Sequence, residues 1–203
     1  MVYNGLIFTN LPPTPHQDIR IGAIGRLTPQ KGVEYFIRAA ALVMTKFPQA
    51  TFFIVGDGPQ RASLSELVNA LSIREGVYFL GQKSDIPEQL ARLDMLVIPS
   101  LYESFGQIAA EALAQKVPVI ASRVGGLQEV IQDGKTGLLV EPGAPSAIAE
   151  KIIALLEDRE YANQLAEAGC ADVRSRFTMA KMVEATEAIY ADLMVVKRRT
   201  ARR

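Results

Sequence analysis

The stretch DMLVIPSLYESFGQIAAEAL, residues 94–113, joins an apolar run, a loop and the start of a helical pattern. The run is apolar almost throughout, which is typical of a strand buried on both faces of a parallel sheet. Helix formers follow Gly106, with Glu103 before the predicted helix and Glu111 inside it. The stretch therefore predicts a strand–loop–helix unit with one carboxylate on each side of the helix start.

The same alternation runs through most of the 203 residues. Six short, β-rich apolar runs alternate with segments of helical period, and only helical patterns follow Pro145. The predicted strands are 19–25, 50–56, 77–81, 94–100, 117–122 and 136–142, and the predicted helices between them are 32–47, 60–72, 86–92, 105–115, 126–132 and 145–157. This pattern predicts an α/β protein with a doubly wound, Rossmann-like parallel sheet, a three-layer α/β/α sandwich and additional C-terminal helices.

Composition changes along the chain predict four segments. Residues 1–18 carry three prolines and predict an extended linker, and residues 19–177 predict the Rossmann-like domain. Residues 178–196 predict a last helix that Thr178 caps. Residues 197–203 form a basic tail. We interpret this tail first as a solvated terminus and second as a contact for RNA or for anionic lipid headgroups at a membrane surface.

The composition excludes several kinds of site. The only histidine, His16, excludes within this chain a zinc site built on several histidines. The only cysteine, Cys170, excludes an internal disulfide and fits a reducing compartment, so we predict a cytoplasmic location. Lysines plus arginines number 22 and so do aspartates plus glutamates, so no overall charge favours nucleic acid as a partner.

Ligands of doubly wound folds bind beyond the carboxyl ends of the strands, so the residues after each strand are candidates. After the first strand, GRLTPQKG at 25–32 offers Gly25 for a tight turn. Arg26 and Lys31 flank the turn and are suited to an anion. A turn with two solvated cations is the equally weighted alternative for this loop alone.

The second strand leads into GDGPQR, residues 56–61. Gly56 and Gly58 imply a close backbone approach, either to a ligand or to a neighbouring loop. The third glycine of a dinucleotide fingerprint is absent because position 61 is Arg61. Farther along, DGKTG at 133–137 contains the Gly-Lys-Thr of a phosphate loop, but it leads into a strand and we predict only a turn.

The two carboxylates suit a ligand with hydroxylated rings on both sides of a diphosphate. If the helix begins near Phe105, its first amides point at the strand end and can bind the diphosphate, with Glu111 roughly 9 Å along the axis. Carboxylates accept hydrogen bonds from sugar hydroxyls. A nucleotide-sugar would place its ribose toward Glu111 and its transferable sugar toward Glu103, with Arg26 and Lys31 covering the negative charge.

These motifs resemble the C-terminal, donor-binding domain of retaining glycosyltransferases of the family 4 (group 1) type. The resemblance covers about residues 2–193 of this chain. Enzymes of this family have the GT-B architecture. Lys116 departs from the family pattern, which usually has glycine there, and predicts strain if that helix end needs a left-handed residue. The matching stretches are YNG for the inter-domain segment, GRLTPQKG for the G-R-L-x-x-x-K-G loop, VGDGP for the second strand end, ESFGQIAAEALAQKVPVIAS for the E-x7-E block and VGGLQEVIQDGKTGLLVEP for the block after it.

The resemblance implies a hexosyltransferase-type enzyme that uses a UDP- or GDP-linked sugar, retains anomeric configuration and needs neither cofactor nor metal. It implies Arg26, Lys31 and Glu103 as catalytic residues: the two cations hold the diphosphate and Glu103 contacts the donor sugar. Glu111 would bind the ribose, the amides of 105–108 the sugar and phosphates, and the loops at 56–58 and 80–81 the base. The implied donor-binding residues are Gly25, Gly56, Asp57, Gly58, Leu80, Gly81, Ser104, Phe105, Gly106, Gln107, Ile108 and Glu111.

The resemblance also implies a partner domain. A whole GT-B enzyme has an N-terminal, acceptor-binding domain that this chain lacks, and the helix at 178–196 would pack on it. We therefore expect a donor-binding half that transfers little alone. The alternatives are a stand-alone nucleotide-binding or regulatory module, a sugar-nucleotide epimerase of the GT-B type, and a dinucleotide-dependent oxidoreductase.

Overall fold

The computed structural model describes residues 2–9 and 11–200, with side chains described as far as residue 191. Six strands of the described chain form one sheet in the order β3-β2-β1-β4-β5-β6, and all neighbouring strands are parallel. The strands are β1 Ile19–Ile24, β2 Ala50–Val55, β3 Val77–Gly81, β4 Met95–Ile98, β5 Val119–Ser122 and β6 Leu138–Val140. The predicted doubly wound parallel sheet is confirmed.

Helices cover both faces of this sheet. One hydrophobic core lies beneath α1, α2 and α6, and a second lies beneath α3, α4 and α5 on the opposite face. The α-helices are α1 Val33–Lys46, α2 Arg61–Ala70, α3 Ile86–Leu90, α4 Gln107–Ala114, α5 Leu127–Val130, α6 Pro145–Glu157, α7 Arg159–Arg176 and α8 Met179–Thr200. The three-layer arrangement and the additional C-terminal helices follow the sequence prediction.

Burial along the strands explains why their sequences are so apolar. Every residue of β4 and β5 is buried, because these central strands have neighbours on both sides and helices on both faces. The edge strand β3 instead alternates, and the side chains of Tyr78 and Leu80 are 44% and 37% exposed. The apolar runs therefore marked the central strands most clearly.

Five of the six helices predicted up to residue 157 are shorter than their sequence patterns, and the backbone shows the cause for two of them. The helix predicted at 105–115 begins at Gln107, because Gly106 has a left-handed φ of 88° and cannot continue the helix backward. The helix predicted at 126–132 is the single turn α5, because Ile131 is already extended. The number of helix-forming residues alone therefore does not determine where α4 begins or where α5 ends.

Three local features agree with the sequence. The Lys181 amide donates to the Thr178 hydroxyl over 3.3 Å, so Thr178 caps α8 as predicted. Lys116 has a φ of 59° just after α4, which is the left-handed conformation expected where the family has glycine. Residues 133–137 form a turn that leads into β6, as we predicted for DGKTG.

The segments that enter and leave the domain lie side by side. The Leu6 amide donates to the Phe177 carbonyl over 2.8 Å, and Leu6 and Thr178 form a parallel bridge. Beyond this bridge α8 exposes apolar side chains, among them Ile189 at 46% and Tyr190 at 67%. The basic tail predicted at 197–203 falls outside the described side chains. Among the described residues, no helix combines the length and hydropathy required to cross a bilayer.

Candidate functional site

The chain reverses its winding direction between β1 and β4, which are neighbours at the centre of the sheet. In doubly wound folds this switch point opens a crevice at the carboxyl ends of the two strands. The loops after β1 and β4 are joined there, because the Leu101 amide donates to the Gln30 carbonyl over 2.8 Å. A Cβ at Gly32 would lie 2.1 Å from the Pro99 carbonyl oxygen. Glycine at position 32 thus allows the two loops to touch.

Two predicted catalytic side chains meet in this crevice. The Lys31 Nζ lies 2.5 Å from Glu103 Oε2, and the Ser100 hydroxyl is 3.5 Å from the same oxygen. The Glu103 side chain is 13% exposed and that of Lys31 is 32% exposed. Gly25 and Ile108 line the same small cavity. The proposed diphosphate cation and the proposed sugar carboxylate are therefore each other's partners.

The close approach predicted for the glycines after β2 is to a neighbouring loop. A Cβ at Gly56 would lie 1.9 Å from the Gly25 carbonyl oxygen, and one at Gly58 would lie 2.5 Å from that of Leu27. The Leu27 amide also donates to the Asp57 carbonyl over 2.9 Å. These contacts hold the loops after β1 and β2 against each other and shape the floor of the site.

A central cleft of about 260 Å³ lies beyond β1, β2 and β3. Arg26 and Lys83 line it, both are exposed, and neither has an ion-pair partner within the described part of the chain. The other lining residues are Ile24, Gly25, Val55, Gly56, Asp57, Gln82 and Ile86. Two cations beside a glycine-walled cleft suit a phosphate group.

The structure changes which residues of the third strand end face the cleft. Leu80 is 37% exposed on the edge strand, and the Gly81 carbonyl accepts a hydrogen bond from the Gly56 amide over 2.8 Å. Neither lines the central cleft, whereas Gln82 and Lys83 do. Sequence reasoning missed Gln82 and Lys83, although they follow the third strand directly and extending the strand-end rule by two residues would have found them.

Glu111 lines a second cleft of about 330 Å³. The Gln107 side-chain amide donates to Glu111 Oε1 over 2.7 Å and orients the carboxylate. Ile86 lines both this cleft and the central one, so the two adjoin. Because α4 begins at Gln107, Glu111 is about 6 Å along the helix axis and not the 9 Å expected from a start at Phe105.

The start of α4 presents backbone amides at the crevice. Its first helical bonds run from the Ala109 and Ala110 amides to the Gly106 carbonyl, at 2.9 and 3.3 Å. The amides of Gln107 and Ile108 precede this ladder, and the N-cap residue Gly106 supplies no side chain to bind them. The positive end of the helix dipole thus lies next to Glu103 and Lys31, where an anion is stabilised.

The loop that carries Glu103 is held from behind by a glycine pair that sequence reasoning did not assign. The Gly126 amide donates to the Glu103 carbonyl over 3.0 Å. A Cβ at Gly126 would lie 2.4 Å from the Phe105 Cα. The VGG sequence after the fifth strand was the available clue, because paired glycines indicate close backbone approach.

The predicted residues Ser104 and Phe105 lie outside the cavities of the site. Ser104 is exposed and lines none of these cavities. The Phe105 ring packs edge-on against the Phe177 ring, with 5.3 Å between their centroids. The centroids of the Phe105 and Tyr3 rings are 6.4 Å apart. The Tyr3 hydroxyl in turn donates to Glu129, which raises the pKa of Tyr3. An aromatic cluster therefore ties the Glu103 loop to the entering and leaving segments.

Comparison with known proteins assigns the family. Residues 11–171 match the family model of the glycosyl transferases group 1. N-acetyl-alpha-D-glucosaminyl L-malate synthase of Bacillus anthracis is 38% identical over 164 residues, which are 81% of this chain and 43% of that protein. The chain belongs to the group 1 glycosyl transferases.

Solved structures agree with this assignment. HepE of Anabaena, solved in complex with UDP, superposes with a TM-score of 0.82 at 28% identity and covers 86% of this chain and 49% of its own. The solved C-terminal domain of the group 1 protein LpcC from Francisella tularensis is 30% identical with a TM-score of 0.74, covering 83% of this chain and 89% of that one. The chain therefore has the fold of the C-terminal domain of a GT-B glycosyltransferase. It spans under half the length of the curated relatives it matches.

Proposed function

We propose that this chain is the donor-binding half of a retaining glycosyltransferase that takes its sugar from a nucleoside-diphosphate sugar. The observation that carries the proposal is the arrangement of charges at the switch point. The cleft lined by Arg26, Lys83 and Asp57 shares Gly25 with the cavity that holds Lys31 and Glu103, and it shares Ile86 with the cleft that holds Glu111. A nucleotide-sugar has the matching order of groups, with a diphosphate between two hydroxylated rings.

Each group of the donor has a partner in the proposal. The diphosphate lies near Arg26, Lys31 and the start of α4, the ribose hydroxyls donate to Glu111, and the sugar hydroxyls donate to Glu103. Lys83 adds a third cation on the central cleft. We propose UDP as the nucleotide to test first, because HepE is solved with UDP, and GDP as the second.

The proposed chemistry is electrostatic. When the glycosidic bond to the phosphate breaks, the bonding electrons stay on the diphosphate, and Arg26 and Lys31 stabilise that charge from fixed positions. We propose that these cations make a metal unnecessary and that attack occurs on the face the diphosphate leaves, which retains anomeric configuration. Charge-assisted contacts of this kind contribute about 1.5–3 kcal/mol each.

We propose that sugar transfer needs an acceptor-binding domain, corresponding to the part of the relatives that this chain does not cover. The side-by-side segments at Leu6 and Thr178, together with the exposed apolar face of α8, form the surface on which such a domain would rest. The cytoplasmic location indicated by the single cysteine stays a prediction, as does contact between the basic tail and a membrane.

A thermal-shift titration tests the proposal. The chain is titrated with UDP, GDP, ADP and NAD, and the titration is repeated on Glu111→Ala. A nucleoside diphosphate at about 100 times its Kd should add about 2.7 kcal/mol to the free energy of unfolding, and Glu111→Ala should abolish most of the shift. Glu150→Ala is the matched control, because Glu150 is an exposed glutamate of α6 that lines none of these cavities. Stabilisation by NAD alone would contradict the proposal.

A further inference from the structure

The ion pair between Lys31 and Glu103 bears on which ligands the site accepts. The Lys31 ammonium is 2.5 Å from the Glu103 carboxylate, and the one other polar side chain on that carboxylate, among the described residues, is the Ser100 hydroxyl at 3.5 Å. The Glu103 side chain is 13% exposed, so water reaches it poorly. The carboxylate therefore depends on Lys31 for most of its stabilisation.

A phosphate that binds Lys31 must compete with this carboxylate. If Lys31 turns to a diphosphate, Glu103 loses its cation and faces a second anion at short range, which is unfavourable. A donor molecule can compensate, because its sugar hydroxyls supply hydrogen bonds to the carboxylate. A free nucleoside diphosphate brings no such donor and adds charge, since the second pKa of a terminal phosphate is about 6.

We propose that Glu103 is a specificity determinant: by competing with phosphate for Lys31, it favours the sugar-linked donor over the free nucleoside diphosphate that the reaction leaves behind. This inference rests on the proposed function. It gives Glu103 a role in substrate choice and product release in addition to sugar contact. It also makes an unusual prediction, because removing the charge of a binding residue should tighten the binding of one ligand.

Isothermal titration of Glu103→Gln tests this, with UDP and UDP-glucose as one pair of probes and GDP and GDP-mannose as the other. The substitution keeps the shape and removes the charge. The affinity of the nucleoside diphosphate should rise about fivefold while that of its sugar-linked partner stays equal or falls. Glu111→Gln is the matched control, because Glu111 bonds to Gln107 and does not contact Lys31. This control should weaken both members of a pair alike.

A second pair of variants distinguishes two effects of Glu103, which are its pairing with Lys31 and its direct repulsion of the phosphate. In a protein that already carries Lys31→Met, Glu103→Gln should raise the affinity for the nucleoside diphosphate by less than half as much as it does in the natural chain. The reason is that no lysine remains to be released. An undiminished gain in that background overturns the pairing mechanism. If the natural chain binds both members of a pair and Glu103→Gln does not favour the free diphosphate, this inference alone fails. If the natural chain and Glu103→Gln both bind none of the four probes, the proposed function fails with it.

Discussion

A Cβ placed on Gly125 would lie 2.0 Å from the backbone carbonyl oxygen of Glu103. Gly125 also has a left-handed φ of 42°, a backbone conformation that residues other than glycine rarely adopt. The loop that carries the proposed sugar-binding carboxylate is therefore positioned by backbone contact with the segment after β5. Its position depends on a residue with no side chain to contribute to the chemistry.

Replacement of this glycine should displace the Glu103 loop. We expect Gly125→Ala to lower the affinity for a nucleotide-sugar at least about tenfold, because the loop must move to relieve the clash. Calorimetric titration measures this, and circular dichroism shows that the variant is folded. Gly134→Ala is the matched control. Gly134 also has a left-handed φ, of 71°, but a Cβ there would meet no atom nearer than 4.0 Å. Both variants should therefore lose roughly 1–2 kcal/mol of stability to backbone strain, and only Gly125→Ala should also have the clash. Equal nucleotide-sugar affinities for the two variants would contradict the positioning role.

The hydrogen bond from Gln107 to Glu111 should support ribose binding. We expect Gln107→Met to weaken nucleoside diphosphate binding about three- to tenfold, since loss of the 2.7 Å bond leaves the carboxylate less well oriented. Gln164→Met removes the same kind of bond, four residues apart on α7, from Glu160 and should leave binding unchanged. A Gln107→Met variant that binds as tightly as the natural chain would show that Glu111 does not need this orientation.

Because Lys83 lines the central cleft, we expect it to contribute to nucleoside diphosphate binding. We expect Lys83→Met to weaken nucleoside diphosphate binding about threefold to tenfold at low salt, because an exposed cation on the cleft is lost. The difference should shrink as salt is raised, since salt screens exposed charges. Titration at two ionic strengths checks both statements. Lys135→Met, at an exposed position in the turn before β6, should have no effect. Equal losses in the two variants would mean that the effect reflects net charge alone.

Asp133 predicts a pH dependence of folding stability. Burial of this carboxyl raises its pKa, but the Leu139 amide at 2.9 Å and the Arg123 guanidinium at 2.5 Å bind the charged form, and the net pKa is lowered from 3.8. Because the pKa is lower in the folded state, the stabilisation is complete above the unfolded pKa and is lost as the pH falls through the folded value.

We therefore expect Asp133→Asn to unfold at a lower temperature than the natural chain at neutral pH, with the gap narrowing below about pH 4. The gap should be small, because the side chain is 40% exposed and solvent screens the pair. Thermal unfolding from about pH 7 down to about pH 2.5 measures it. A gap that stays constant over this range would show that the charge of Asp133 does not supply the stabilisation.

The sheet was predictable from the sequence because its central strands are buried on both faces. Runs such as MLVI at 95–98 and VIAS at 119–122 leave no polar side chain facing solvent, and the loops after them fall at one edge of the sheet. The same rule led to Arg26, Lys31 and Glu103 as neighbours in the site, and the structure brings Lys31 and Glu103 into direct contact.

The parts that escaped prediction depend on contacts between distant loops. The start of α4 at Gln107 is set by the left-handed Gly106, which helix propensity does not report. The support of the Glu103 loop by Gly125 and Gly126 joins segments that one sequence pattern cannot place together. Lys83 faces the cleft because of the path of the chain after β3, and an exposed lysine carries no periodic pattern.

A crystal structure of this chain with the nucleoside diphosphate that stabilises it most tests the central claim directly. We expect the diphosphate to lie between Arg26, Lys31 and the first amides of α4, with the ribose hydroxyls within about 3 Å of the Glu111 carboxylate. We also expect Lys31 to have turned from Glu103 toward the phosphate. A nucleotide bound with its ribose at Glu103, or bound away from the crevice between β1 and β4, would contradict the account.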